Sequence, residues 1–169
     1  MAGEEQGGGA RRYVMREKML SLGDDYWISD DQGAKVFKVD GKAMRIRDTF
    51  VLEDTGGNEV AKIRERKLTM RDKMAIERGD RKIATVRTAM GWGDRYKIEV
   101  EGGDDLKAHG RVLRHDYKIE RDGKRVATIH KKWFKIRDSY GVQVEPGQDD
   151  ALILAAVVAI EHMAGRGDA

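Results

Sequence analysis

The sequence predicts a mainly β protein, in which about twelve antiparallel strands close into a barrel around a buried hydrophobic C-terminal α-helix. Three observations predict it. Six aspartates, Asp24, Asp48, Asp72, Asp94, Asp116 and Asp138, recur at intervals of 24, 24, 22, 22 and 22 residues, which is an internal repeat. Around them, apolar and other residues alternate on both sides of a polar break, most clearly over residues 44–52, 68–76 and 134–142. A period of two is the mark of half-buried strands, and the break is a turn. Finally, the run from Ala151 to Ile160 is apolar on every side, which suits a helix surrounded by protein.

The elements follow in order. Residues 1–10 are small, polar and glycine-rich, without the basic start and apolar run of a signal peptide, and read as a disordered tail. An opening strand is expected over residues 13–22. Between successive aspartates lies a second turn signal, at 30–33, 54–58, 78–80, 102–105 and 121–123, where Gly, Asn and Asp supply the positive φ angles of tight reversals. Matching strands follow these turns at 36–39, 60–63, 83–86 and 126–129. Each of the five units is thus two strands, and a last strand over residues 139–144 brings the total to about twelve. Asp116 breaks register: the apolar residues after it, Tyr117 and Ile119, fall one position early, which calls for a bulge or an altered turn.

Beyond Pro146 the character changes. Asp149 and Asp150 precede the apolar run as caps, alanines favour helix, and Gly165 marks its end, leaving a single domain over residues 11–164 and a tail over 165–169. The run is shorter than the roughly 20 residues of a membrane span. Twelve closed strands leave an interior too wide for their own side chains, and a threaded helix fills it. A two-sheet sandwich with a capping helix is the weaker alternative, since such a helix needs polar residues on a wet face.

Composition narrows the chemistry. No cysteine occurs among the 169 residues, so disulfides, zinc-thiolate sites and cysteine nucleophiles are excluded, as suits a reducing cytoplasm. The 33 basic and 30 acidic residues give a net charge of +3 and interleave along the strands as a solvated exterior does. Acidic residues interrupting every basic run argue against a nucleic-acid partner. His109, His115, His130 and His162 show no metal-ligand spacing and no nucleophilic motif, so no catalytic residue, metal ligand or cofactor site is assigned. Gly91-Trp92-Gly93-Asp94 reads as a hairpin loop, and Trp92 and Trp133 as packing residues more readily than as ligand platforms. Two stretches depart from the even charge pattern. Lys62, Arg64, Arg66, Lys67, Arg71 and Lys73 crowd one; Lys131, Lys132, Lys135 and Arg137 crowd another around Trp133, a pattern that suits phosphate groups on lipid or nucleic acid, the tryptophan among lysines also being what an interfacial anchor looks like. By strand period, Lys62, Arg64 and Arg66 share one face, and Trp133, Lys135 and Arg137 another.

Several stretches together resemble the LURP-one-related proteins of the tubby C-terminal-like superfamily, to which the phospholipid scramblases also belong. They are residues 12–18 (RYVMREK), 123–129 (GKRVATI), 133–142 (WFKIRDSYGV) and 149–155 (DDALILA). The resemblance implies a twelve-stranded barrel around a central helix. It also implies kinship to modules that hold phosphoinositide headgroups through basic barrel residues, and hence a cytoplasmic protein that is peripheral at the inner membrane surface. The chain lacks the proline-rich start, cysteine cluster and EF-hand-like loop of scramblases, so the resemblance does not extend to calcium-dependent lipid movement. The ligand expected is an anionic phospholipid headgroup, or, in the alternative, an acidic protein surface met by a scaffold module without lipid.

Overall fold

The computed structural model describes residues 8–17, 25–41, 49–66, 73–133 and 137–167, and within these the side chains of Arg66, Trp133 and Arg166 are excepted. Twelve strands run in sequence: β1 (Arg11–Arg16), β2 (Tyr26–Asp30), β3 (Lys35–Asp40), β4 (Thr49–Asp54), β5 (Glu59–Arg66) and β6 (Lys73–Arg78). They continue as β7 (Arg81–Thr88), β8 (Asp94–Val100), β9 (Leu106–Arg111), β10 (Asp116–Arg121), β11 (Lys124–His130) and β12 (Ser139–Val144), before helix α1 (Asp150–Gly167). Each strand pairs antiparallel with its neighbours in sequence, and β1 pairs with β12 from Arg11↔Val144 to Arg16↔Ser139, closing the barrel. Closure leaves no unpaired edge to recruit another chain.

The twofold alternation read from the sequence is what fills the interior. Phe50 and Leu52, Met74 and Ile76, Tyr96 and Ile98, and Tyr140 and Val142 stand two and four residues after Asp48, Asp72, Asp94 and Asp138, and all are buried. They meet α1, of which Ile153 to Ile160 is almost wholly inaccessible to solvent. The helix starts at one mouth of the barrel, here called proximal, and ends at the other, the distal mouth. Its first turn is capped by Asp149, whose Oδ1 accepts the Leu152 N–H at 3.2 Å while Arg78 holds the carboxylate with two nitrogens at 3.0 and 3.1 Å. Burial pushes the Asp149 carboxyl up, but Arg78 and the helix N–H groups outweigh it and hold the group below the usual carboxylate range. Asp150, one residue on, takes Arg11 and Tyr13 of β1, tying the start of the helix to the closing strand.

The proximal turns are built as the sequence suggests. Asp30 Oδ1 accepts N–H groups from Gln32 and Ala34, and Asp54 Oδ1 from Gly56 and Asn58, all at 2.9 Å. Bulges, which the sequence does not place, follow Ile28, Leu52, Ile76 and Ile119, at the second buried residue of four units. Each adds local twist near the same mouth, where closure demands it.

Two expectations are corrected. The helix does not end at Gly165 but continues to Gly167, so the expected C-terminal tail is partly helix. The opening strand begins at Arg11 and ends at Arg16; residues 18–24 lie outside the described part. The break at Asp116 is an altered turn. A 3-10 turn over Val112–Arg114 is followed by His115 in the left-handed region at φ 50°, and the same conformation occurs at Asp138, φ 55°. His115, not Asp116, therefore occupies the repeat position, and Tyr117 and Ile119 stand two and four residues after it like their counterparts. Among the described residues no helix is long and apolar enough to cross a membrane.

Candidate functional site

At the distal mouth, register places the ends of three neighbouring strands side by side: Asp116 at the start of β10 lies opposite Arg111 on β9 and His130 on β11. Gly110 permits the approach of β9. At φ +143° its backbone lies so close to β10 that a Cβ would fall 2.7 Å from the Asp116 carbonyl oxygen and from the Tyr117 Cα. Around this junction opens a cavity of about 420 Å³ lined by Arg111, Arg114, Asp116, His130, Lys131 and Lys132. Its volume falls in the roughly 300–1,000 Å³ range of small-ligand sites.

The charges do not all cancel. Arg111 is ion-paired with Asp116, and Lys131 Nζ lies 2.8 Å from Glu17 Oε1. Arg114 and Lys132 have no carboxylate within ion-pair reach among the described residues. The His130 Nδ1 accepts the Lys132 backbone N–H at 3.0 Å, so a neutral imidazole carries its proton on Nε2 as a donor. The cavity thus gathers the cationic side chains of Arg111, Arg114, Lys131 and Lys132 around a space that suits a phosphate-bearing anion.

Beneath the cavity a polar chain runs inward to the helix. Glu17, which holds Lys131, also lies 3.9 Å from His115 Nε2, and His115 Nδ1 lies 2.9 Å from Glu161 Oε2 on α1. Glu161 Oε1 accepts a hydrogen bond from the Tyr117 hydroxyl at 2.9 Å, and the His115 ring stacks on Tyr140 with centroids 4.3 Å apart. Burial, with the Glu161 charge adding to it, pushes the Tyr26, Tyr117 and Tyr140 hydroxyls well above the usual phenol range. These groups connect Lys131 of the cavity, through Glu17 and His115, to Glu161 near the end of the helix.

Of the residues singled out in the sequence, Lys131 and Lys132 line this cavity. They and Trp133 form a 3-10 turn between β11 and β12, so the strand period expected to align Trp133, Lys135 and Arg137 does not apply there. Arg137 falls in the turn before β12, while Lys67, Arg71 and Lys135 lie outside the described residues. Lys62 and Arg64 alternate with the buried Ala61 and Ile63 and so share the outer face of β5, as read; of Arg66 only the backbone, which ends that strand, is described. Both are matched by carboxylates, Lys62 with Glu59 at 3.6 Å and Arg64 with Glu77 at 3.7 Å. Moreover, β5 and β11 stand six strands apart in either direction round the barrel, so the structure does not bring the two basic clusters together. Sequence reasoning missed Arg111, Arg114, Glu17, His115 and Glu161. The signal for the first two was the register break at Asp116, which marks an unusual turn inside a basic stretch. Trp92 also departs from expectation: it is 95 % exposed and packs no core.

Comparison with known proteins agrees with this architecture. The sequence profile of a family described as LURP-one-related matches residues 11–161. A solved X-ray structure of a protein from Arabidopsis thaliana superposes with a TM-score of 0.71 over 94% of this chain and 93% of that one, at 21% sequence identity, a likeness of fold. Among curated proteins none matches in sequence.

Proposed function

The chain belongs to the LURP-one-related family, and on that premise we propose that it is a non-enzymatic binding module whose distal mouth holds an anionic phospholipid headgroup at a membrane surface. The observation that carries this reading is the cavity formed by Arg111, Arg114, His130, Lys131 and Lys132, with Asp116 as the one acidic lining residue among the described residues. Guanidinium groups offer paired donors to phosphate oxygens, and lysines add point charge. Each cation near an anionic surface contributes about 1 kcal/mol, so a cluster of them binds reversibly and weakens with salt. The basic residues of β5 are a weaker candidate because Glu59 and Glu77 already occupy Lys62 and Arg64.

Co-sedimentation with phosphatidylcholine vesicles, with and without a phosphoinositide, tests the proposal at low and high salt. Binding is expected only with the anionic lipid, is weaker at high salt, and is lost in Arg114→Glu/Lys132→Glu, whose melting temperature stays near that of the wild type because neither side chain has an ion-pair partner among the described residues. Equal sedimentation with neutral and anionic vesicles, or none with either, overturns the membrane reading in favour of a protein-interaction module.

A further inference from the structure

Among the described residues the large apolar side chains most exposed to water are Met90, Trp92 and Leu113, at 82, 95 and 51 %. All three lie at the distal mouth. Met90 and Trp92 are on the β7–β8 connection, and Leu113 is in the 3-10 turn between β9 and β10. The two connections are joined directly, since Asp94 Oδ2 accepts the Val112 N–H at 3.1 Å. The next connection round the same mouth, between β11 and β12, carries Lys131 and Lys132 of the basic cavity. One sector of the rim therefore passes from apolar tips to cations, of which Lys131 is paired with Glu17 and Lys132 has no ion-pair partner among the described residues.

The tips are held out by construction. The Ala89 N–H donates to the Arg95 carbonyl at 2.8 Å, closing the loop, and Arg95 Nε donates to the Trp92 carbonyl at 3.1 Å from beneath it. Gly91, at φ +149°, leaves room for that side chain: a Cβ there would lie 2.5 Å from Arg95 Cδ. Trp92 thus stands on a braced loop. By contrast, the proximal turns present Asp31, Asp54, Asp80, Asp104 and Asp122, and no large apolar tip.

We propose that Met90, Trp92 and Leu113 form a wedge that enters the interfacial region of an anionic bilayer, orienting the barrel with its distal mouth on the membrane while the neighbouring cavity holds a headgroup. This inference rests on the membrane reading above and adds to it the depth and direction of docking. A lipid surface is the occupant chosen because the tips are exposed on connections beside cations, which matches the negative headgroup layer and the apolar zone beneath it. Tryptophan's amphipathic ring is suited to that boundary, and the attraction combines buried apolar area with charge.

The absence of cysteine allows a single label to be placed at will. Trp92→Cys carrying an environment-sensitive fluorophore is expected to shift to the blue on anionic vesicles and to be quenched by lipids brominated in the upper acyl chain. The same label at Asp31→Cys, on the proximal mouth, stays unchanged. Trp92→Ala is expected to weaken vesicle binding by about fivefold or more, from the apolar area withdrawn, while leaving binding of a soluble inositol phosphate unaltered. A label at position 92 that remains in water while the protein sediments with anionic vesicles overturns the wedge and spares the headgroup site. Failure to bind vesicles and inositol phosphate alike overturns both. A blue shift without vesicles that grows with protein concentration also overturns the wedge, assigning the tips to contact between copies of the chain.

Discussion

Gly110 and Gly33 both have positive φ, 143° and 84°, yet their surroundings differ. Nothing lies within 4 Å of a Cβ at Gly33, whereas at Gly110 the added atom would strike the backbone of β10. Gly33→Ala is therefore expected to cost about 1 kcal/mol, the ordinary left-handed penalty. Gly110→Ala meets rigid backbone as well and is expected to cost roughly 2–4 kcal/mol, since overpacking adds to dihedral strain. Urea denaturation of both variants checks the order. Equal losses would mean that β9 can move away from Asp116 freely. Asp149 gives a pH signature at the same scale. Its carboxyl is held down in the folded chain, so its contribution is complete above the usual carboxylate range and is lost as pH falls through the depressed folded value. Asp149→Ala is expected to lower stability by about 1 kcal/mol at neutral pH, through the lost cap and the stranded Arg78. That gap should narrow as pH falls below the usual carboxylate range, where the wild-type group takes up its proton. A gap independent of pH would show that the charge on Asp149 contributes nothing.

The helix and its surrounding strands were the legible elements, because each leaves a local trace. Inward side chains such as Leu52, Ile76 and Ile98 recur every second position, and a segment apolar all round has no wet face to offer. The site was less legible. Glu161 sits directly after the apolar run, but its partners Tyr117 and His115 come from β10 and the turn before it, and long-range pairings leave no mark in a single sequence. Trp92 was misjudged because burial in a turn depends on what neighbouring connections cover, which periodicity does not report. Helix burial gives a sharp expectation. Leu154 is completely inaccessible, so Leu154→Asp removes a core side chain and buries a carboxylate, a combined loss on the order of 4 kcal/mol or more. Against the usual margin of about 5–15 kcal/mol, that loss should broaden or abolish cooperative melting by circular dichroism. A wild-type melt would place the helix outside the core.

The whole molecule is closed and polar along its axis. Closure depends on β1, which pairs with β12 along its full length and with β2 at Tyr13 and Val14. Deleting residues 1–16 would open β2 and β12 as edges and strand Asp150, so that variant is expected to associate, by light scattering, while deletion of residues 1–8 leaves a monodisperse barrel. Polarity follows from the helix: acidic Asp149 and Asp150 stand at its start, where the dipole favours negative charge, and Arg114, Lys131 and Lys132 gather at the mouth where it ends. A barrel that docks by this distal mouth holds its axis across the membrane surface, so the β5 wall faces sideways into solvent. Lys62→Glu/Arg64→Glu and Arg114→Glu/Lys132→Glu reverse the same number of charges and change net charge equally. If attraction were only overall charge, both would weaken binding to phosphoinositide vesicles alike. With docking through the distal mouth, the second pair should abolish sedimentation and flatten its salt dependence, while the first changes it by less than about twofold, as sideways charges lie near or beyond a Debye length of roughly 8–10 Å from the headgroups. Equal loss in both variants would show that the barrel approaches the membrane without a preferred face.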